Sequence, residues 1–257
     1  MEKMKIVIKY GTEAVTHAAG MDVAFLYQQA SEISKLRERY DFVVVSSGAV
    51  AEGKALWAPH RELFNVDPSL QAYAMIGVGQ YFLAWQKAMA KFDIPTGLVL
   101  VTHKEMDDPN ERPVLERALS ESRLAGVLPI VNQNDAICVD ELEKLTYGGD
   151  NDGVGGHIAS LIDADFFIMY TKNGGLINDD GYEVRTLTPE MYEDARKMVE
   201  SRERQADSKG KGGMGSKLSA GRKAASQGCR VFIARSGIPI EAVINKESGT
   251  EIVAIAA

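Results

Sequence analysis

Several short segments of this 257-residue chain combine lysines, amides, acids and glycines in patterns suited to holding small anions. Lys9 stands one residue ahead of Gly11-Thr12. A strand-terminal lysine followed by a glycine turn can reach a phosphate while the turn's N–H groups cradle it. Gly210-Lys211-Gly212-Gly213-Met214-Gly215 satisfies GxGxxG literally, yet charged loop rather than strand precedes it, so a dinucleotide fold does not follow. No Walker A string occurs. What remains is a run of glycines whose N–H groups can approach an anion, the positive end of a helix starting near Lys217, and Lys209, Lys211 and Lys217 as cations. That describes either a loop closing over a phosphate or a flexible solvated loop. Tyr147-Gly148-Gly149-Asp150-Asn151-Asp152-Gly153 sets two carboxylates around an amide among glycines. It suits Mg²⁺ or a substrate ammonium, and equally an Asx-rich cap and turn. Asn132-Gln133-Asn134-Asp135 closes an apolar run with amides and an acid. The four histidines show no metal-ligand spacing, and His157 reads as a surface or capping residue. No GxSxG elbow is present.

The elements that must position these groups alternate in type. Lys5–Lys9, Asp41–Ser46, Gly97–Thr102, Leu128–Asn132, Asp165–Thr171, Arg230–Ala234 and a last stretch near Glu251–Ile255 read as strands. Helical spacing marks Val23–Tyr40, Ser69–Lys91, Arg112–Ala125, a segment reaching Ile158–Ile162, one from Pro189, and Lys217–Gln227. Strands of nearly continuous apolar character between helices predict a mostly parallel sheet covered on both faces. In such sheets ligands gather where the strands end. The polar clusters at 11–12, 46–48, 132–135 and 171–174 all fall there. Glu200–Ser216, polar and glycine-rich, is expected to be a mobile loop.

Composition narrows the class. Lys and Arg number 29 against 36 Asp and Glu, a net charge of −7, which argues against nucleic acid as the main partner. With 45% hydrophobic and 25% charged residues the chain is globular in character. Met1–Lys5 leads into only a short apolar run, so no secretory leader is expected, and no run of about 20 apolar residues would cross a membrane. Cys138 and Cys229 make no disulfide framework, so a cytoplasmic location is expected.

In order, the motifs are Lys9-Tyr10-Gly11-Thr12, Val44-Val45-Ser46-Ser47-Gly48-Ala49, Val78-Gly79-Gln80, Pro129-Ile130-Val131-Asn132-Gln133-Asn134-Asp135, Gly149-Asp150-Asn151-Asp152 and Gly212-Gly213-Met214-Gly215-Ser216-Lys217. Together, over almost the whole chain, they resemble the amino acid kinase family, and within it the branch that phosphorylates glutamate. The resemblance implies a three-layer α/β/α sandwich with a mostly parallel central sheet, one domain over residues 1–257, without the C-terminal PUA-type domain that many members of the branch carry. It implies ATP-dependent phosphorylation of the L-glutamate side-chain carboxylate to L-glutamyl 5-phosphate, the first step of proline biosynthesis. Lys9 and Lys217 would lie on the phosphates with Asp152 positioning them. Ser47, Gly48, Asp135 and Asn151 would hold glutamate. Gly11, Thr171, Lys172, Gly212, Gly213, Met214, Gly215 and Ser216 would contact the nucleotide, beside Lys9 and Lys217. Mg²⁺ would arrive on ATP, with Asp150 its one candidate protein ligand. A homo-oligomer (dimer or tetramer), feedback inhibition by proline and a functional link to glutamyl phosphate reductase are implied as well, with no nucleic-acid or membrane partner.

The chemistry agrees with that resemblance. A carboxylate acceptor is already ionised at neutral pH and needs no strong base; it needs in-line positioning and cations where charge spreads. Three positions depart from the family pattern. Lys172 replaces an acid after the fifth strand, Gly153-Val154-Gly155-Gly156 follows G-D-N-D where x-L-S is usual, and Glu13 stands where a small serine is common. A different small acid or phosphate as acceptor, or a non-catalytic nucleotide or amino-acid sensor, are the alternatives these departures leave open.

Overall fold

A computed structural model describes residues 3–64, 66–137, 151–205 and 213–254. The first half of the chain runs β1 (Met4–Tyr10), α1 (Thr12–Val15), the hairpin β2 (Thr16–His17) and β3 (Gly20–Met21), α2 (Val23–Leu36), β4 (Tyr40–Ser46), α3 (Ala49–Trp57), α4 (Arg61–Phe64), α5 (Leu70–Ala90), β5 (Thr96–Val101), α6 (His103–Asp107), α7 (Arg112–Leu124) and β6 (Leu128–Gln133). It continues with α8 (Asn151–Leu161), β7 (Phe166–Thr171), β8 (Thr186–Leu187), α9 (Pro189–Gln205), α10 (Met214–Ala225), β9 (Arg230–Arg235), α11 (Ile240–Ile244) and β10 (Thr250–Ile252).

Eight strands form one sheet in the order β5-β6-β4-β1-β7-β9-β10-β8. From β5 to β9 every pairing is parallel. β10 runs antiparallel to β9 and closes that edge together with β8. The fold is therefore the expected three-layer α/β/α sandwich with a mostly parallel sheet.

The apolar strands read as continuous because both faces are covered, but their alternation still sorts side chains between two cores. Ile6, Ile8, Tyr10, Val44, Ile168 and Tyr170 belong to one core, shared with α2 and α5. Val7, Val43, Val45, Phe167 and Met169 belong to the other, under α7, α8, α9 and α10. Lys9 shares the parity of Val7, so it points toward the layer of α8 and α10. That parity decides which helices can answer its charge.

β1 lies at the centre, with β4 on one side and β7 on the other. The chain winds first toward β5 and later toward β9, so the direction of winding reverses at β1. In open α/β sheets the crevice at such a reversal is where ligands bind. The register aligns Tyr10 with Ser46 and with Tyr170, which brings the ends of β1, β4 and β7 level.

Two close approaches set the helices on this edge. A Cβ on Gly53 would lie 1.8 Å from the Tyr73 carbonyl oxygen, and one on Gly77 would lie 2.0 Å from that of Ala49. α3 and α5 therefore cross backbone to backbone, which only glycine permits. On the other face, a Cβ on Gly155 would stand 2.8 Å from the Phe167 ring and 3.5 Å from Lys9 Cβ. The glycine-rich start of α8 thus lets that helix lie against β1 and β7.

Several boundaries differ from the sequence-based expectation. The mobile loop expected over 200–216 is helical at both ends, since α9 continues to Gln205 and α10 begins at Met214. Residues 206–212 lie outside the described residues. The end of α9 carries no apolar residue to show a period; there Arg202 donates to the Ile177 and Asn178 carbonyls and Glu203 accepts the Gly215 N–H. α3, α6, α11 and the β2–β3 hairpin were not anticipated; each is too short for a periodic pattern to show.

Candidate active site

At the carboxyl edge of the sheet two lysines from opposite ends of the chain meet one carboxylate. Lys9 Nζ lies 2.6 Å from Asp152 Oδ1, and Lys217 Nζ lies 2.9 Å from Asp152 Oδ2. Ser216 donates its hydroxyl to the same Oδ2 at 2.7 Å. Lys9, Asp152 and Lys217 are 2%, 0% and 6% exposed, so this is a buried ionic cluster rather than a surface pair. Buried charges persist only when paired and hydrogen-bonded. Among the described residues, two ammonium groups thus share one carboxylate at the cavity wall.

Each member has a local reason for its place. Lys9 comes from the last turn of pleat in β1. Asp152 is the second residue of α8, held near the strand by Gly155. Lys217 and Ser216 lie in the first turn of α10, whose Gly213 carbonyl also accepts from Ser216 Oγ at 2.9 Å and from Lys217 Nζ at 3.3 Å.

On the β4 side Asn151 organises a second set. Its Nδ2 donates to Ser47 Oγ at 2.8 Å and to Asn132 Oδ1 at 3.0 Å, and its Oδ1 accepts from the Gln133 backbone N–H at 3.1 Å. The Ser47 backbone N–H in turn donates to the Tyr10 carbonyl at 3.1 Å. α5 braces this corner: Tyr81 donates to the Ser46 carbonyl at 2.8 Å, and Trp85 Nε1 to Ser46 Oγ at 3.0 Å. Tyr81 is fully buried, and burial pushes its hydroxyl well above the usual tyrosine range, so it remains a neutral donor. Gly48 has φ 127° with Met21 Sδ 3.2 Å and Thr16 Cγ2 3.3 Å from a notional Cβ, so a larger residue there is both strained and crowded.

On the β7 side Thr171 Oγ1 accepts from the Gly174 N–H and donates to the Gly174 carbonyl, closing a tight turn that presents Lys172 and Asn173 outward. Glu203, near the end of α9, accepts the Gly215 backbone N–H at 3.1 Å. Its carboxylate thereby sits at the N-terminus of α10, the position where helix dipole and free N–H groups favour any anion.

One cavity of about 710 Å³ joins the two sides; Lys9, Ser47, Asp135, Asn151, Thr171 and Lys217 line it. So do Gly11, Gly48, Lys172, Gly213 and Met214, and two residues the motifs did not single out, Lys54 and Glu203. Glu13, one of the departures, is at its wall too. Gly215 and Ser216 lie in the first turn of α10 alongside. Gly212 and Asp150 lie outside the described residues, as do Lys209 and Lys211. Lys54 follows Val50 by one helical turn in α3, a spacing that could have flagged it; nothing in the charged run around Glu203 could have.

Two other readings are settled by placement. His157 is neither a surface residue nor a cap. It is half-buried, with Nδ1 3.7 Å from Asp107 Oδ1 and Nε2 against Lys223 Nζ. Burial and the Lys223 charge hold its pKa below the ordinary histidine value. Asp152 is committed to two lysines. Among the described residues no group of three or more His, Cys, Asp or Glu could hold a metal ion. Asp150, the candidate metal ligand, lies outside the described residues.

Comparison with known proteins follows the geometry. The model of the amino acid kinase family matches residues 4–235. A glutamate 5-kinase from Methanosarcina barkeri (strain Fusaro) is 32% identical over 271 residues, covering 96% of this chain and 67% of that protein. One from Burkholderia lata is 32% identical over 256 residues, covering 98% and 67%. One from Xylella fastidiosa (strain 9a5c) is 34% identical over 243 residues, covering 89% and 59%. The chain spans about two thirds or less of the length of these relatives. Among solved structures, carbamate kinase from Giardia lamblia bound to AMP-PNP superposes with a TM-score of 0.66 at 16% identity, covering 98% of this chain and 99% of that one. UMP kinase from Ureaplasma parvum gives 0.59 at 13%, covering 98% and 100%. At these identities the likeness to the solved structures speaks for the fold alone. No helix among the described residues is long and apolar enough to cross a membrane.

Proposed function

The chain belongs to the amino acid kinase family, and we propose that it transfers the terminal phosphoryl group of ATP to the side-chain carboxylate of L-glutamate, forming L-glutamyl 5-phosphate, the first step of proline biosynthesis. One observation carries the reading. Lys9 and Lys217 converge on Asp152 at the wall of a cavity that Ser47, Asn151 and Asp135 also line.

The division of labour follows from charge. Lys9 and Lys217 supply two ammonium groups where negative charge spreads over the transferring phosphoryl oxygens. Asp152 holds both lysines at fixed separation and keeps them from repelling each other apart. The turn at Gly11 and the first N–H groups of α10 take phosphate oxygens, which Glu203 must yield when they arrive. Thr171, Lys172 and Met214 face the rest of the nucleotide. Mg²⁺ carried on ATP would neutralise part of the phosphate charge beside Lys9 and Lys217.

On the acceptor side, Ser47 Oγ and Asn151 are already fixed by one another and by Asn132, so they meet the substrate without first reordering. Asp135 suits the substrate ammonium. The acceptor carboxylate needs no base, and one of its oxygens becomes the bridging oxygen of the acyl phosphate while ADP departs.

The test is direct. With MgATP and L-glutamate the protein should release ADP, and hydroxylamine should trap the acyl phosphate as a hydroxamate. Lys217→Ala should lose turnover while its circular dichroism spectrum is retained. Absence of ADP release with glutamate, alongside turnover of another small acid or phosphate, would transfer the reading to a different acceptor. Tight ligand binding without any turnover would favour a sensor.

A further inference from the structure

We infer that Lys54 recognises the second carboxylate of the acceptor, the one that is not phosphorylated, and so makes the site selective for a dicarboxylic amino acid. The inference rests on the proposed glutamate kinase activity and deepens it.

Four lysines line the cavity: Lys9, Lys54, Lys172 and Lys217. Lys9 and Lys217 are committed to Asp152 and to the phosphoryl group. Lys172 follows β7, across β1 from Ser47. Lys54 alone of these lies on α3, the helix that starts directly after Ser47-Gly48. Glutamate brings two carboxylates to the site, and the one to be phosphorylated must face Lys9 and Lys217. The other needs its own cation within the half of the cavity bounded by β4, α3 and the start of α5. Ser47 and Asn151 offer hydrogen bonds there but no charge.

The backbone fixes where Lys54 points. Glu52 turns away, accepting the Met21 N–H at 2.7 Å. Gly53 is pressed against Tyr73 of α5, with no room for a Cβ. Val50, Ala51 and Lys54 are left on the remaining face, as spacings of three and four require, and all three line the cavity. Among the described residues Lys54 has no ion pair, and its Nζ lies 5.9 Å from the centroid of the Tyr73 ring. An aromatic face steadies an ammonium weakly and leaves its N–H donors available. Lys54 is exposed at the cavity wall, where a ligand can reach it.

The experiment compares Lys54→Met and Lys54→Arg with the wild type on two acceptors, L-glutamate and its α-amide, which keeps the side-chain carboxylate and replaces the other by a neutral group. Lys54→Met should raise KM for glutamate roughly 10- to 100-fold, the range of a charge-assisted hydrogen bond. KM for MgATP and kcat should stay within about threefold. The α-amide should react poorly with the wild type and no worse with Lys54→Met, and Lys54→Arg should recover much of the glutamate affinity. Equal losses on both acceptors, or no loss on glutamate, would overturn the assignment while leaving the kinase reading intact. Failure of the wild type to turn over or bind glutamate would overturn both.

Discussion

Replacing Asp152 by Asn removes one charge from between two buried lysines, and the consequences can be worked from the distances. Asp152 takes contacts of 2.6 Å from Lys9, 2.9 Å from Lys217 and 2.7 Å from Ser216. Asn preserves the shape but retains one acceptor oxygen, so at least one ammonium loses its contact with this side chain. Two like unit charges roughly 5 Å apart repel by about 3 kcal/mol at an effective dielectric near 20. Breaking a buried ion pair from one side typically costs about 3–5 kcal/mol. For a chain of this size that corresponds to a fall in melting temperature of roughly 6–20 °C. The assay is thermal unfolding in phosphate-free buffer, with and without pyrophosphate. Because an added polyanion supplies the missing negative charge, pyrophosphate should raise the melting temperature of Asp152→Asn more than that of the wild type. Turnover should fall sharply, since both lysines lose their anchor. A variant melting within about 2 °C of the wild type, with equal response to pyrophosphate, would refute the claim that Asp152 holds the lysine pair together.

Two further expectations follow from the helix that carries Asp152. Gly155→Ala would drive a methyl group into the Phe167 ring, 2.8 Å away, and push α8 off the sheet. It should cost about 1–3 kcal/mol of stability in urea unfolding and lower kcat, whereas Gly228→Ala, at a φ of +91° with no atom within 4 Å, should cost stability through backbone strain alone and leave kcat unchanged. His157 tests the far side of the same helix. Burial first, then the charge of Lys223, with His103 and Arg112 adding to it, lowers its folded pKa, while Asp107 opposes them. A histidine with a depressed folded pKa contributes stability above its unfolded value, about 6.5, and that contribution is lost as pH falls through the folded value. The wild type should therefore lose stability on acidification below about pH 6.5, and His157→Gln should show a shallower slope in chemical unfolding across the same range. An identical slope would show that His157 does not titrate in this way.

The strands were legible because five of them are short apolar runs between polar turns, and a segment such as Phe166–Thr171 has few other conformations that hide it from water. Ser47, Asn132, Asp135, Asn151 and Thr171 were legible as strand-end or helix-start polar residues, a local feature. α5 was found nearly to the residue because Ser69 caps it and no proline interrupts it. The end of α9 was not, because the stretch after Val199 has no apolar residue and its polar side chains find partners far along the chain, Arg202 on the Ile177 and Asn178 carbonyls and Glu203 on the Gly215 N–H.

By itself the sequence determined seven of the strands, that both sheet faces are covered, and which polar residues stand at strand ends. These properties depend on windows of a few residues, where propensity and hydrophobic period act. Tertiary structure alone decided that Lys9 and Lys217 share one carboxylate, that Glu203 occupies the head of α10, and that Lys54 reaches the cavity. Those meetings depend on strand order, on the reversal of winding at β1 and on glycines that let α3 and α8 approach their neighbours. Charges far apart along the chain become partners only after the apolar faces have set the distances between the elements that carry them.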